Sequence, residues 1–519
     1  MNWKTYYKDP FWQIAGIFLV IKFSLHVLTC NTYELHRDEM LYFNQGDYPA
    51  LGNATVPPLI GWVAYLVKGL FGYSVFGVRF VPMVLGSLSV LLIAKLVKDF
   101  EGGIIALVWA CAAFVLSPGF LLFDSLFTVN VIEQFFWLLI AFLFTRMVNN
   151  HSPRTWLWIG TVSGLAFLNK YLVVYLLTGF LIALLLGSDR KLLWNKFFSY
   201  ALVIGLIIIS PNIYWQYQHA WPIFVHVNEL RSTQMVNMTY KNFLTDLFDL
   251  NYVGTFLWIA GLAALLFSRY WNNYRYIGIC AFIVIALFML SNGKAYYALG
   301  IIPVLFVAGG CTLELYMPVT VNRIASLLLF LFLSLSVPYS IPLLSFGNLQ
   351  KYAEKTGRFV SYPFSRWEDG KLHSVSQVFS DMTGWKEMVD LVSQAYYKIP
   401  EDKRRNTTIY AERNYGYAGA VHFYGKPYNL PEPITFLDSY VIWAPDTIPK
   451  GPMIYINYDI AGVDKYFERY AEIGVIKDVY FREKGLKVFL CEDPRDEIVE
   501  VYRQKAKMEK RKYQQSDRP

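Results

Sequence analysis

Long apolar runs separated by short polar segments fill most of the chain, and a different rhythm takes over near Ser345. A hydrocarbon core of about 30 Å needs roughly 20 mostly apolar residues per spanning helix, with every backbone group bonded internally. The pattern predicts about eleven spans, at residues 11–30, 75–98, 103–122, 128–148, 155–169, 171–187, 197–217, 252–268, 275–291, 297–316 and 324–345. The two runs beside Lys170 are short, and one broken helix would satisfy the pattern there equally well. Residues 36–71 begin too polar to span, although Pro58 to Phe71 is amphipathic enough to lie along an interface. Residues 218–250 mix His219, Trp221, Arg231 and Asp246 with apolar positions and read as a second interfacial loop. Beyond Ser345, short apolar strands such as Met453 to Tyr458 and Val475 to Phe481 alternate with helical stretches such as Asp381 to Tyr397. That alternation predicts a small α/β domain, with Lys505 to Arg511 as a charged helix or a frayed tail.

Composition agrees with lipid as the main solvent. The 519 residues are 55% hydrophobic and only 17% charged, where soluble proteins run near a quarter charged. The fold expected is therefore an α-helical polytopic membrane protein over residues 1–345, with loops at 31–73 and 218–250, followed by an extracytoplasmic α/β domain over 346–519. The first apolar run is too long for a signal-peptide core and lacks a small-residue cleavage site, so it reads as a retained anchor. Four of the five cysteines fall in or beside apolar runs, which gives no disulfide framework.

Orientation follows from Lys and Arg in the short loops. About twelve, including Lys4, Lys8, Lys95, Lys98, Arg146, Arg154, Arg190 and Lys191, lie on the N-terminal side, against about seven on the other. This predicts a cytoplasmic N-terminus, and an odd number of spans then puts the C-terminal domain outside.

Candidate chemistry gathers on that outer side. His36-Arg37-Asp38-Glu39 follows the first span directly, so two carboxylates stand at a membrane surface, where partial burial suits one to act as a general base. The plainer explanation is an acidic pair favoured by a helix N-terminus. Asp124 is a second outward carboxylate, and alone would be an N-cap for the helix starting near Thr128. Lys170 and Lys294 interrupt apolar runs, and with Arg231 they suit a lipid phosphate, although a lysine snorkelling to the interface has the same pattern. His219 lies among aromatics that an interfacial belt also explains. No Walker loop, dinucleotide fingerprint or Cys/His metal spacing is present, which argues against a nucleotide-dependent catalyst.

These residues carry a family resemblance. Asp38-Glu39 with Pro57-Pro58-Leu59-Ile60 before an apolar helix, the run Gly164-Leu165-Ala166-Phe167-Leu168-Asn169-Lys170-Tyr171, the segment Asn212 to Trp221, and Gly293-Lys294 before Tyr296 and Tyr297 occur in that order. In the tail, Asp381 to Trp385, Glu412 to Ala420 and Phe423-Tyr424-Gly425 follow. Over almost its whole length the chain resembles the GT-C superfamily of membrane glycosyltransferases. It looks close to the bacterial branch of the dolichyl-phosphate-mannose protein mannosyltransferases and the lipid A aminoarabinose transferases.

The resemblance implies a bacterial inner-membrane enzyme that transfers a hexosyl or pentosyl group, with inversion, from a polyprenyl-phosphate-linked donor to a protein, lipid or glycan hydroxyl. It implies Asp38 as catalytic base, Glu39 and Asp124 as supporting acids, and Lys170, Lys294 and Arg231 as phosphate contacts. His219, Tyr296, Tyr297 and Tyr42 would then contact substrate. No cofactor is expected, a divalent cation stays open, and nucleic acid is not a partner. Members often carry Arg three residues after the aspartate, where this chain has Leu41, so the acceptor stays open. Two rivals remain: an oligosaccharide ligase using a pyrophosphate-linked donor, and a lipid or solute transporter. Against transport stand a large polar domain and the lack of an inverted repeat.

Overall fold

The computed structural model describes residues 9–236, 238–357, 367 and 369–514, so Lys4 and Lys8 lie outside the described residues. It separates into two compact units. The first takes in residues up to Thr32, Arg79–Pro211 and Leu230–Pro363; the second takes in Tyr33–Val78, Asn212–Glu229 and Phe364 onward.

Helices account for the first unit. Seven among the described residues are long and apolar enough to cross a membrane: Pro10–Thr29, Val75–Asp99, Val129–Asn149, Lys196–Gln218, Asn272–Leu290, Ala295–Tyr316 and Val319–Ser340. An eighth span arises if Tyr240–Asn251 and Gly254–Phe267, bent by 110° at their junction, count as one. Shorter helices, Ile104–Leu116, Thr155–Asn169 and Val173–Leu186, occupy other apolar runs. Local chemistry sets several boundaries. Asp9 caps the first helix by accepting from the Phe11 N–H at 2.9 Å, with Pro10 at its first position, where a missing N–H costs nothing. Asn322 donates to the carbonyls of Leu313 and Met317 at 2.9 Å each and accepts from the Trp109 indole at 3.0 Å. One buried amide thus satisfies carbonyls at the end of helix Ile302–Tyr316.

Small residues set how closely these helices pack. A Cβ on Gly261 would sit 2.1 Å from the Leu305 carbonyl oxygen, and one on Gly309 would sit 2.2 Å from that of Leu257. Helices Gly254–Phe267 and Ile302–Tyr316 therefore touch backbone to backbone, as lipid-embedded helices do when area burial gives no driving force. Leu202, Val203, Leu206 and Ile207 on helix Lys196–Gln218 stay exposed, as a lipid-facing surface requires.

The second unit is built on a five-stranded sheet of order β2-β1-β3-β5-β4, with β1 Thr408–Ala411, β2 Pro433–Ile434, β3 Met453–Asn457, β4 Phe467–Val475 and β5 Lys487–Pro494. β1 pairs parallel with β2 and β3, while β5 runs antiparallel to β3 and β4. Tyr410, Tyr455, Phe467 and Phe489 of the strands pack with Ile498 and Tyr502 of helix Glu497–Arg511, so the charged segment is an ordered helix with an apolar face. The predicted strand at Val475 to Phe481 is displaced: β4 ends at Val475, and Asp478 turns the chain by accepting from the Tyr480 N–H at 2.8 Å. The predicted helix from Asp381 starts only at Trp385, because Gly384 adopts a left-handed φ of 80° with Phe481 packed against its Cα.

Residues 33–78 fold with the sheet. The N–H of Leu35 donates to the Tyr424 hydroxyl at 2.8 Å, and the Asn44 amide donates to the Gly419 carbonyl at 3.1 Å and the Tyr440 hydroxyl at 3.0 Å. The amphipathic helix Leu59–Phe71 joins the same unit, its Trp62 indole donating to the Ala50 carbonyl at 2.8 Å.

Candidate functional site

In the first unit, helix Thr155–Asn169 stops where Lys170 turns to an extended φ of −159°, and the Asn169 amide is tied to the Val129 carbonyl at 2.8 Å. The Lys170 ammonium is thereby delivered to the start of helix Val129–Asn149. It donates to Asn130 Oδ1 at 2.8 Å and Glu133 Oε2 at 2.7 Å, 4.5 Å from the centre of the Tyr297 ring and 5.6 Å from that of Tyr296. Lys294 donates to Gln234 Oε1 at 2.6 Å and stands 5.9 Å from the same Tyr296 ring. Two cations distant in sequence thus share one tyrosine, an arrangement able to hold an anion between fixed charges. Arg231 is exposed on helix Pro222–Thr233, just before Gln234.

Asp124 has a different partner. It closes the short helix Pro118–Phe123 and binds the Lys22 ammonium at 2.8 Å, with both side chains buried. Lys22 also donates to the Phe120 carbonyl at 3.0 Å. Room for the carboxylate comes from Gly86, where a Cβ would lie 2.7 Å from Asp124 Cγ. Asp124 does not cap the next helix, whose N-cap is Thr128. Its neighbour Phe123 packs on Tyr296 at 5.2 Å between ring centres, which joins this ion pair to the lysine cluster.

In the second unit, His36 to Glu39 start helix Arg37–Asn44 through a capping box. The His36 ring accepts from the Asp38 N–H at 3.1 Å, and Glu39 Oε2 accepts from the His36 N–H at 2.9 Å. Glu39 is wholly buried and spends its carboxylate on this cap, whereas the Asp38 side chain is 33% exposed. Asp38 Oδ1 accepts a short hydrogen bond from the Tyr415 hydroxyl. Burial, with the Asp38 charge adding, drives that phenol well above its usual range, so it stays a donor. Asp381, buried between Arg37 at 3.5 Å and Arg482 at 3.0 Å, balances the charge beneath. Asp438 also feels the Asp38 charge; burial first, and that charge last, push it up to about 6. Tyr42 follows Asp38 by one helical turn and is half-buried.

His219 stacks on Trp215 at 4.1 Å, its Nδ1 lying 2.9 Å from the Trp215 carbonyl oxygen. Trp215 rests directly over Gly52, and the Asn212 amide donates to the Leu51 carbonyl at 2.8 Å, so the aromatic segment is seated on the polar loop of its own unit.

Sequence reasoning passed over Glu133, Lys22, Tyr415, Asp381 and Asp438. Glu133 and Lys22 were open to discovery, since each is an ionisable residue inside an apolar run and so needs a partner there. Asp381 and Tyr415 lie inside tail motifs that carry the resemblance but give no sign of a role, and Asp438 carries no signal in a polar domain. Among the described residues, no group of three or more His, Cys, Asp or Glu side chains is spaced to hold a metal ion.

Residues 55–215 match the family model for dolichyl-phosphate-mannose-protein mannosyltransferases. A lipid A galacturonosyltransferase, RgtD of Rhizobium johnstonii, is 27% identical over 209 residues, which is 40% of this chain and 44% of that protein. The chain thus spans less than half the length of this relative. Among solved structures, ArnT from Cupriavidus metallidurans bound to undecaprenyl phosphate superposes with a TM-score of 0.60 at 13% identity, over 92% of this chain and 97% of that one. Its apo form gives 0.59 at 12% identity with the same coverage. The helical membrane unit and the small sheet thus share the fold of these solved structures, and residues 55–215 carry the sequence pattern of the mannosyltransferase family model.

Proposed function

We propose that the protein transfers a sugar from a polyprenyl-phosphate-linked donor to an acceptor hydroxyl of a lipid or glycan on the outer face of a bacterial inner membrane. Asp38 carries the reading. Of the two carboxylates after the first span, Glu39 is consumed in capping, while Asp38 stays accessible and oriented by Tyr415. Asp38 takes the acceptor proton as the oxygen attacks the anomeric carbon; the new carbon–oxygen bond forms as the bond to phosphate breaks, with inversion. Charge grows on the departing phosphate, and Lys170 and Lys294 stabilise it most in the transition state. In this reading Glu39 positions the Asp38 helix and Asp124 anchors the segment beside Tyr296. Arg231, Tyr297, Tyr42 and His219 serve substrate binding.

The likeness to a structure bound to undecaprenyl phosphate supports the donor, and the lipid A galacturonosyltransferase supports a lipid A type acceptor. Asp38→Asn keeps the size of the side chain and removes the proton acceptor, so turnover should fall roughly 10²–10⁴-fold with donor binding intact. Wild-type turnover by folded Asp38→Asn removes the base assignment. The orientation proposed, with N-terminus inside and C-terminal domain outside, rests on the loop cations. A C-terminal fusion reporter active only in the cytoplasm would contradict it.

A further inference from the structure

We propose that Glu133 is the resident anion that Lys170 gives up when a polyprenyl phosphate binds, and that Glu133 takes one proton from solvent in the exchange. The inference rests on the reading of Lys170 as a phosphate contact. Before binding, the lysine spends two of its three N–H donors on Asn130 and Glu133, and its side chain keeps some exposure. One donor is left for a phosphate oxygen, and a phosphate dianion out-competes a single carboxylate for the cation.

Glu133 is 5% exposed, and its second oxygen, Oε1, has no hydrogen-bond partner among the described residues. Among the described residues, the ion pair that Glu133 makes is with Lys170. From the end of helix Thr155–Asn169 comes Lys170 itself, and from segment Ala295–Ile301 come the Tyr296 and Tyr297 rings. Lys294, just before that segment, is turned to Gln234, and Tyr175 of helix Val173–Leu186 stacks on Phe288. Helix Ile302–Tyr316 adds apolar side chains where it meets helix Val129–Asn149. A carboxylate stripped of its cation in such a place is held as the neutral acid, because an unpaired buried charge costs more than protonation. The balance is complete: Lys170 stays an ammonium, the phosphate keeps its charge, and one solvent proton ends on Glu133 Oε1 or Oε2.

The exchange also gives release a direction. Loss of the Glu133 proton restores the internal ion pair, which competes the product lipid off Lys170.

The test is binding of undecaprenyl phosphate to the full protein in detergent, by calorimetry near pH 8, where the phosphate monoester is already a dianion. Repeating it in buffers of different ionisation enthalpy counts the protons. Wild type should take up about one proton per lipid, and Glu133→Gln none, with tighter binding because the resident anion is gone. No uptake by wild type, or equal uptake by both, overturns the exchange. If Glu133→Gln fails to fold, wild type alone decides: its Kd should rise about tenfold per pH unit between about pH 7.5 and 9, and a flat profile overturns the proposal. Lys170→Met separates the two layers. Undiminished binding there refutes the phosphate contact itself, whereas weakened binding without proton uptake in wild type refutes only the exchange.

Discussion

The pair Lys22–Asp124 offers the cleanest energetic test. The ammonium and carboxylate meet at 2.8 Å with side chains 0% and 3% exposed, inside an apolar helix bundle. At an effective dielectric near 20, their attraction is about 6 kcal/mol. Desolvating each ion costs several kcal/mol, so the intact pair contributes little net stability. Breaking it is another matter. Lys22→Met keeps the apolar stem but leaves Asp124 buried and unpaired, and removes the donor to the Phe120 carbonyl, so the expected loss is about 3–5 kcal/mol. Asp124→Asn should cost somewhat less, because the amide still accepts a hydrogen bond from Lys22. The double variant removes both charges and should be less destabilised than Lys22→Met alone, by about 2 kcal/mol or more. Equilibrium unfolding in mixed micelles at fixed pH measures all four corners of the cycle. Single losses below about 1 kcal/mol, or strict additivity in the double variant, would refute the view that the two charges depend on one another.

Two further outcomes concern the second unit. Tyr415→Phe deletes the hydroxyl that donates to Asp38 and thus one stabiliser of its charged form; the acid limb of kcat/KM should move to higher pH with turnover down about tenfold, and an unmoved pH profile would detach Tyr415 from the base. Glu34, pushed up to about 7 mainly by burial despite accepting from the Trp385 and Lys386 N–H groups, binds its proton more tightly folded than unfolded. The stability it contributes is full below its unfolded pKa near 4.3 and is lost as pH rises through about 7. Glu34→Gln should flatten that decline, with a gain over wild type at pH 8 of at most about 4 kcal/mol, read from stability curves between pH 5 and 8. An unchanged slope would show that Glu34 does not titrate in this window.

Much of the protein was open to reading because the bilayer allows so few solutions. A helix that bonds its own backbone can be placed from hydropathy alone, and each apolar run of the sequence carries helix in the structure, from Pro10–Thr29 to Val319–Ser340. The acidic pair at Asp38 and Glu39, the interruptions at Lys170 and Lys294, and the change of rhythm near Ser345 were visible for the same reason: each breaks a pattern that lipid enforces. Within the polar domain no such solvent sets the rules. Val475 to Phe481 has the composition of a strand, yet the Asp478 turn and the β4–β5 register place the strand before it.

Which charges belong together was decided only in three dimensions. Glu39 and Asp38 are neighbours, but one closes a capping box while the other meets Tyr415, which lies 377 residues on. Lys170 finds Glu133, and Asp124 finds Lys22, through helix packing that no local periodicity encodes. The folding of residues 33–78 with the sheet of the tail belongs to the same class. Hydropathy is a property of each segment taken singly, so sequence determines where apolar helices form, although only seven or eight of the eleven expected spans are long enough to cross a membrane among the described residues. Ion pairs and hydrogen bonds depend on which segments meet, and glycine contacts such as Gly261 on Leu305 set that at the level of tenths of an ångström.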